Sequence, residues 1–181
     1  LRRSVLERVQ SAVEQAWQIN KASRDGLALV EQICRRFPLF ARQIQNRRRD
    51  VSIPNSKDKG KRPTIEMKDE YDVQDALFAI LRVHFDDVRS EEWAPSYGGS
   101  HTRMDFLLET KMMRPSLAQA GLVDELVIDK EHYRHHPDCQ TLVCFVYDPA
   151  GRCRNPAAVE GDLSVTDGAF RVVAIVSPKG V

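Results

Sequence analysis

The sequence predicts an α/β protein in which a mixed sheet is flanked by helices and preceded by a helical extension. Two apolar runs, residues 141–147 and 170–176, read as adjacent interior strands, the first apolar at nearly every position as a strand buried on both faces is. Residues 70–85 repeat apolar side chains at helical spacing ahead of a strand-like stretch at 103–113, and a second helical segment, 122–135, separates that stretch from the first apolar run. Helix, strand, strand or hairpin, helix, strand, strand is the order of a mixed sheet with helices packed on it.

Along the chain, Val5, Val9, Ala12, Val13, Ala16 and Trp17 recur at helical spacing, and after Asp25-Gly26 so do Leu27, Val30, Ile33, Cys34 and Phe37, so two or three helices are expected before residue 50. Arg47-Arg48-Arg49 and the Pro-, Gly-, Ser- and Lys-containing stretch at 52–63 read as a basic connector. The expected division is a helical region at 1–50, a linker at 51–65 and the main domain at 66–181. Asp69 is a plausible N-cap for the helix whose buried face carries Val73, Ala76, Leu77, Ile80 and Leu81. Trp93 and Tyr97, running into Gly98-Gly99, suggest a strand and turn, and Pro137 stops the second core helix. The piece between the two apolar runs reads as short and irregular.

Composition narrows the function classes. With 181 residues, 42% hydrophobic and 29% charged, the chain can bury one substantial core. No run of about 18 apolar residues and no signal-peptide core is present, so a cytoplasmic protein is expected, with no membrane partner. Cys34, Cys139, Cys144 and Cys153 lack CxxC spacing and read as reduced thiols rather than disulfides or zinc ligands. A formal charge of +1 gives no global attraction to nucleic acid, so any such contact falls to local patches: Arg47, Arg48, Arg49, Lys57, Lys59, Lys61 and Arg62 in the connector, and Arg103 and Arg114 flanking the strand at 103–113. A solvated linker is the plainer reading of the connector.

The stretch RMDFLLETKMM, residues 103–113, sets Asp105, Glu109 and Lys111 in strand-like, water-averse surroundings, where a lone charge is expensive unless compensated. A divalent cation is one compensation. The segments DEYDVQDAL, SYGGSHTRMDFLL, ETKMMRPSL, ELVIDKEHYRHHPDCQTLVCFVYDP and NPAAVEGDL together resemble the PD-(D/E)XK nuclease superfamily, and more narrowly the DpnII/MboI-type restriction-endonuclease-like domains of prokaryotic defence proteins. The resemblance covers about residues 66–178. It implies a restriction-endonuclease-like αβββαβ core and metal-dependent phosphodiester hydrolysis, with double-stranded DNA the expected substrate and a homodimer or larger defence assembly the expected context. It carries over Asp105 as the acid ending the second strand, Glu109 and Lys111 as the ExK of the third, and Glu70 as the extra acid of the first helix.

Those residue types suit that chemistry. Mg2+ or Mn2+ would take carboxylate oxygens from Asp105 and Glu109 and the Thr110 carbonyl, offsetting charge on the phosphoryl oxygens and delivering a hydroxide-like water. Lys111 would orient that water or stabilise the developing oxyanion.

Plainer readings stand beside these. A second ExK, Glu66-Met67-Lys68, reads as a surface pair; Glu70 also suits the helix dipole; His132, His135 and His136 end a helix, where cations are favourable. Tyr133 and Asp129 could face the site from the second helix, but a packed tyrosine with a satisfied partner is the plainer account. Asp105, Glu109 and Lys111 could form a structural ion pair. One departure bears on catalysis: in a continuous strand the Asp105 and Glu109 α-carbons lie roughly 13 Å apart, whereas oxygens sharing one Mg2+ lie roughly 3 Å apart. Missing hairpin residues between Leu108 and Glu109 would resolve this. The intact ExK favours the enzyme; the short spacing favours an inactive module of the same fold that binds nucleic acid or docks a partner, and a structural assembly domain is the third alternative.

Overall fold

The computed structural model describes residues 2–45, 51–52, 59–60, 65–85, 88, 107–135 and 139–179. Helix α1 spans Arg2–Gln45 as one helix of 44 residues, not two or three. Glycine inside a helix costs about 1 kcal/mol relative to alanine, so Gly26 alone cannot break a helix that has something to bury. Leu27, Val30, Cys34, Phe37 and Ala41 form such a stripe, each at most 9% exposed. Pro38 lies within α1, and one turn earlier the Arg35 carbonyl accepts a hydrogen bond from Ser177 Oγ at 3.1 Å. The connector contains a short antiparallel pair, β1 (Val51–Ser52) and β2 (Lys59–Gly60).

Helix α2 (Glu70–His84) starts where the sequence places it. Asp69 accepts the Asp72 N–H while Asp72 accepts the Asp69 N–H, a reciprocal capping box. Then come β3 (Leu107–Met112), α3 (Gln119–Arg134), β4 (Thr141–Tyr147), α4 (Pro156–Leu163), β5 (Val165–Asp167) and β6 (Phe170–Ser177). The expected strand and turn around Trp93 and Tyr97 lie outside the described residues. The piece expected to be irregular is α4 and β5. At 8 residues, with only Val159 and Leu163 buried, α4 is too short to show a period, but Asn155 caps it through the Ala158 N–H and Pro156 opens it. Gly168, at φ 59°, supplies the positive φ of the two-residue turn joining β5 to β6.

The main sheet has the order β3-β4-β6-β5, with β3, β4 and β6 parallel and β5 antiparallel. The two apolar runs are the adjacent interior strands β4 and β6, and alternation sends their side chains into two separate cores. Val143, Phe145, Tyr147, Val173 and Ile175 face α1 and α2; Leu142, Cys144, Val146, Val172, Ala174 and Val176 face α3 and α4. Beyond the end of β5, the outward N–H groups of Ala174 and Val176 are met by Ser164 Oγ at 3.0 Å and Glu160 Oε1 at 2.9 Å, so α4 closes that edge. Buried Asp148 is engaged by the turn after β4, accepting the Arg152 and Cys153 N–H groups. All four cysteines are free and buried; burial pushes the Cys34 and Cys144 thiols up to about 12 and Cys139 up to about 11. No described helix is long and apolar enough to cross a membrane.

The second half of α1 thus belongs to the main core. Phe37 meets Phe145 and Tyr147 edge-on at centroid distances of 5.5 and 5.2 Å. Phe37→Ala should destabilise the protein by about 3–5 kcal/mol in denaturant unfolding. A change below about 1 kcal/mol would mean that α1 is not part of the cooperative fold.

Candidate active site

Strand β3 pairs on one side only among the described residues, and its alternation sorts its side chains. Leu108 and Met112 join the core under α1 and α2, while Leu107 joins the core under α3 and α4. Glu109 and Lys111, in phase with Leu107, therefore point to the α3 side. Leu108 and Glu109 are consecutive residues of this unbroken strand, registered with Val143 and Cys144. Asp105 lies outside the described residues.

Glu109 is 5% exposed, and its carboxylate is held from two sides. Lys111 Nζ lies 2.9 Å from Oε1, and the Tyr133 hydroxyl donates to Oε2 at 3.2 Å. Lys111 Nζ is also 3.2 Å from Asp129 Oδ2 and 3.9 Å from Glu70 Oε1. The Asp129 oxygen is buried without an aligned hydrogen bond, so the contact is an ion pair by distance alone. Asp129 and Tyr133 stand one turn apart on α3, a spacing that puts both on one face. Glu70 arrives from the first turn of α2 and accepts the Met112 N–H at 3.3 Å, filling a donor that the edge strand turns away from β4. Thr110, two residues earlier, turns its carbonyl to that same side of β3, away from β4.

The titration of the cluster follows from these contacts. Desolvation alone would lower the Lys111 pKa, but the hydrogen bond and charge of Glu109, joined by Asp129, outweigh it and hold the ammonium above the ordinary lysine value. Burial raises the Glu70 pKa against the opposing pull of Lys111, the Met112 N–H and Arg114, with Glu109 adding to the rise. Arg114, exposed just after β3, is therefore near enough to act on the cluster.

The structure thus brings together Glu70, Glu109 and Lys111, and of the two sequence readings of Asp129 and Tyr133 it favours the one in which they face the site from α3. Only their four-residue spacing pointed to a shared face, and the weak apolar patterning of α3 gave no orientation. Glu66 and Lys68 form an exposed pair at 2.5 Å, so the second ExK is the surface pair it resembles. His132 and His135 are exposed at the end of α3, and His136 lies outside the described residues. Of the basic candidates, Arg47, Arg48, Arg49, Lys57, Lys61, Arg62 and Arg103 also lie outside them, and of Lys59 only the backbone, in β2, is described.

Three carboxylates stand around one ammonium, with Arg114 also near the cluster, and their oxygens are hard donors. That is a fit to a divalent cation such as Mg2+ in charge and donor type. Among the described residues, no group of three or more His, Cys, Asp or Glu side chains is placed to hold an ion. A family model described as REase_DpnII-MboI matches residues 28–179. No curated protein and no solved structure shows a significant match to the chain.

The same charge count fixes what removing the ammonium should do. Lys111→Met, which leaves three acids facing one another, should destabilise the fold by on the order of 3 kcal/mol. Adding Glu109→Gln should recover part of that loss in urea unfolding, and strictly additive losses would show that the two groups are not coupled.

Proposed function

Since the chain belongs to the DpnII-MboI restriction-endonuclease family, we propose that it is a divalent-metal-dependent endonuclease that hydrolyses phosphodiester bonds of double-stranded DNA, in restriction or anti-phage defence within the cytoplasm. The observation that carries this reading is the convergence of Glu70, Asp129 and Tyr133 on the Glu109–Lys111 pair of β3. A structural ion pair needs one carboxylate; this one has three.

Glu109 and the Thr110 carbonyl would hold Mg2+ or Mn2+, with Asp105 as the further ligand that the family motif assigns. Bound there, the ion would neutralise phosphoryl charge and lower the pKa of a coordinated water. The chain's own residues do the rest. Tyr133 keeps Glu109 in one orientation by its hydrogen bond. Asp129 holds Lys111 in place when Glu109 turns to other partners, and the fixed ammonium sits where negative charge develops on the phosphate. Glu70 ties the N-terminus of α2 to the Met112 N–H and keeps the site at a defined position on the strand. Arg114 and the connector's Arg47, Arg48, Arg49, Lys57, Lys59, Lys61 and Arg62, with Arg103, supply phosphate contacts that position DNA without reading its sequence.

Cleavage of linear duplex DNA should require Mg2+ or Mn2+ and stop with chelator. Glu109→Gln and Asp105→Asn should abolish it, and Lys111→Ala should slow single-turnover cleavage by about 100-fold or more. Tyr133→Phe, which removes only an orienting hydrogen bond, should cost less, on the order of 10-fold. Cleavage unaffected by Glu109→Gln, or no cleavage by the intact chain with either metal, would return the protein to the rival reading of an inactive docking module.

DNA binding has its own test. Replacing several connector arginines and lysines by Ala should weaken binding and flatten the slope of log affinity against log salt by about 0.9 per lost phosphate contact. An unchanged slope would leave the connector as a solvated linker.

A further inference from the structure

Away from the candidate active site, a groove of about 490 Å³ runs between α1 and the start of β6. That volume is in the range of small-molecule sites, about 300–1,000 Å³. Three successive turns of α1 line it, and they differ in chemistry. Leu27 and Ala28 make an apolar end, Glu31 and Gln32 follow one turn on with a carboxylate and an amide, and Arg35 and Arg36 close the far end. Two turns of helix separate the ends by roughly 11 Å. Arg171, at the start of β6, adds a third guanidinium from the sheet.

The arginines are positioned but not consumed. Glu31 stands 3.9 Å from both Arg35 and Arg171, and Glu160 stands 3.9 Å from Arg35. Each is an ion pair by distance and too long for a hydrogen bond, so these pairs leave the N–H forks open to a ligand. Glu160 is already engaged by the Val176 N–H and by Lys179. Among the lining residues, three cations then face one carboxylate. The groove is also remote from the candidate active site. Arg171 is in phase with Val173 and Ile175, which pack under α1 and α2, whereas Glu109 and Lys111 point to α3, and β6 is two strands from β3. A phosphate held here is therefore not one placed for cleavage there.

We infer that this groove binds a ribonucleoside monophosphate, with the phosphate against Arg35, Arg36 and Arg171, the ribose at Glu31 and Gln32, and the base over Leu27 and Ala28. The order of chemistry along the groove chooses that ligand: cationic, polar and apolar in sequence match phosphate, ribose and base. A phosphate monoester carries a charge of about −1.5 to −2 at neutral pH, which answers the surplus of guanidinium, and arginine forks pair with its oxygens two at a time. A carboxylate is a fitting acceptor for ribose hydroxyls. The inference does not depend on the nuclease reading, and its failure would leave that reading untouched.

Calorimetric titration of the full chain with AMP, GMP, CMP and UMP, in chelator so that no divalent cation takes part, tests this. At least one nucleotide should bind saturably, with adenosine and inorganic phosphate each weaker by about 10-fold or more. Arg36→Gln and Arg171→Gln should each weaken the nucleotide by about 10-fold or more, and both side chains are exposed enough for the thermal unfolding midpoint to stay in place. Ala28→Glu, at the apolar end, should weaken the nucleotide and leave inorganic phosphate unchanged. Glu109→Gln should bind as the intact chain does. The proposal is overturned if none of the four nucleotides binds, if inorganic phosphate binds as tightly as the nucleotide, or if the arginine variants bind normally. Binding lost in Glu109→Gln would move the nucleotide to the candidate active site. Duplex DNA that displaces the nucleotide, and is itself weakened by Arg36→Gln and Arg171→Gln, would make the groove a DNA contact instead.

Discussion

Everything distinctive about this protein depends on how one half-buried ammonium is compensated. Lys111 sits on the edge strand of a sheet otherwise packed with aliphatic side chains, and a charge taken out of water there costs several kcal/mol unless opposite charges surround it. Glu109 from the same strand, Asp129 from α3 and Glu70 from α2 provide them. By count the carboxylates outnumber the ammonium, with Arg114 near enough to offset part of the surplus.

The fold serves that arrangement through its edges. Parallel strands β4 and β6 are buried on both faces, so the sheet's interior is committed to aliphatic packing and leaves chemistry to the margins. On one margin Ser164 and Glu160 satisfy the outward N–H groups of β6, and that edge is closed. On the other, Glu70 meets the Met112 N–H and at the same time faces Lys111. One carboxylate thus fixes the helix against the strand and contributes charge to the site, which explains why an acid in a first helical turn supports two readings from sequence alone.

What the sequence revealed follows from where the signal was strong. Interior strands declare themselves by unbroken apolar runs, and the α2 cap by Asp69 and Asp72, because local chemistry dictates both. The continuity of α1 was hidden because Asp25-Gly26 is a local stop signal that long-range burial of Leu27, Val30 and Phe37 overrides. Helix α4 was hidden because eight residues with two buried side chains have no measurable period. In the site, Glu109 and Lys111 were visible as charges out of place on a strand. Asp129 and Tyr133 supported two readings, facing the site or simply packed, since α3 carries acids and bases around most of its circumference and only the packing of the helix against β3 decides which of them face inward.

The central claim, that Glu109 belongs to a divalent-metal site and Lys111 is its neighbour rather than its ligand, is open to direct measurement by titrating Mn2+ into the DNA-free protein and following free Mn2+ by electron paramagnetic resonance. The account predicts saturable binding that is lost in Glu109→Gln and retained or strengthened in Lys111→Ala, because removing the ammonium deepens the negative charge. Equal Mn2+ binding by the intact chain and Glu109→Gln, or loss of binding in Lys111→Ala with the fold intact, would contradict it.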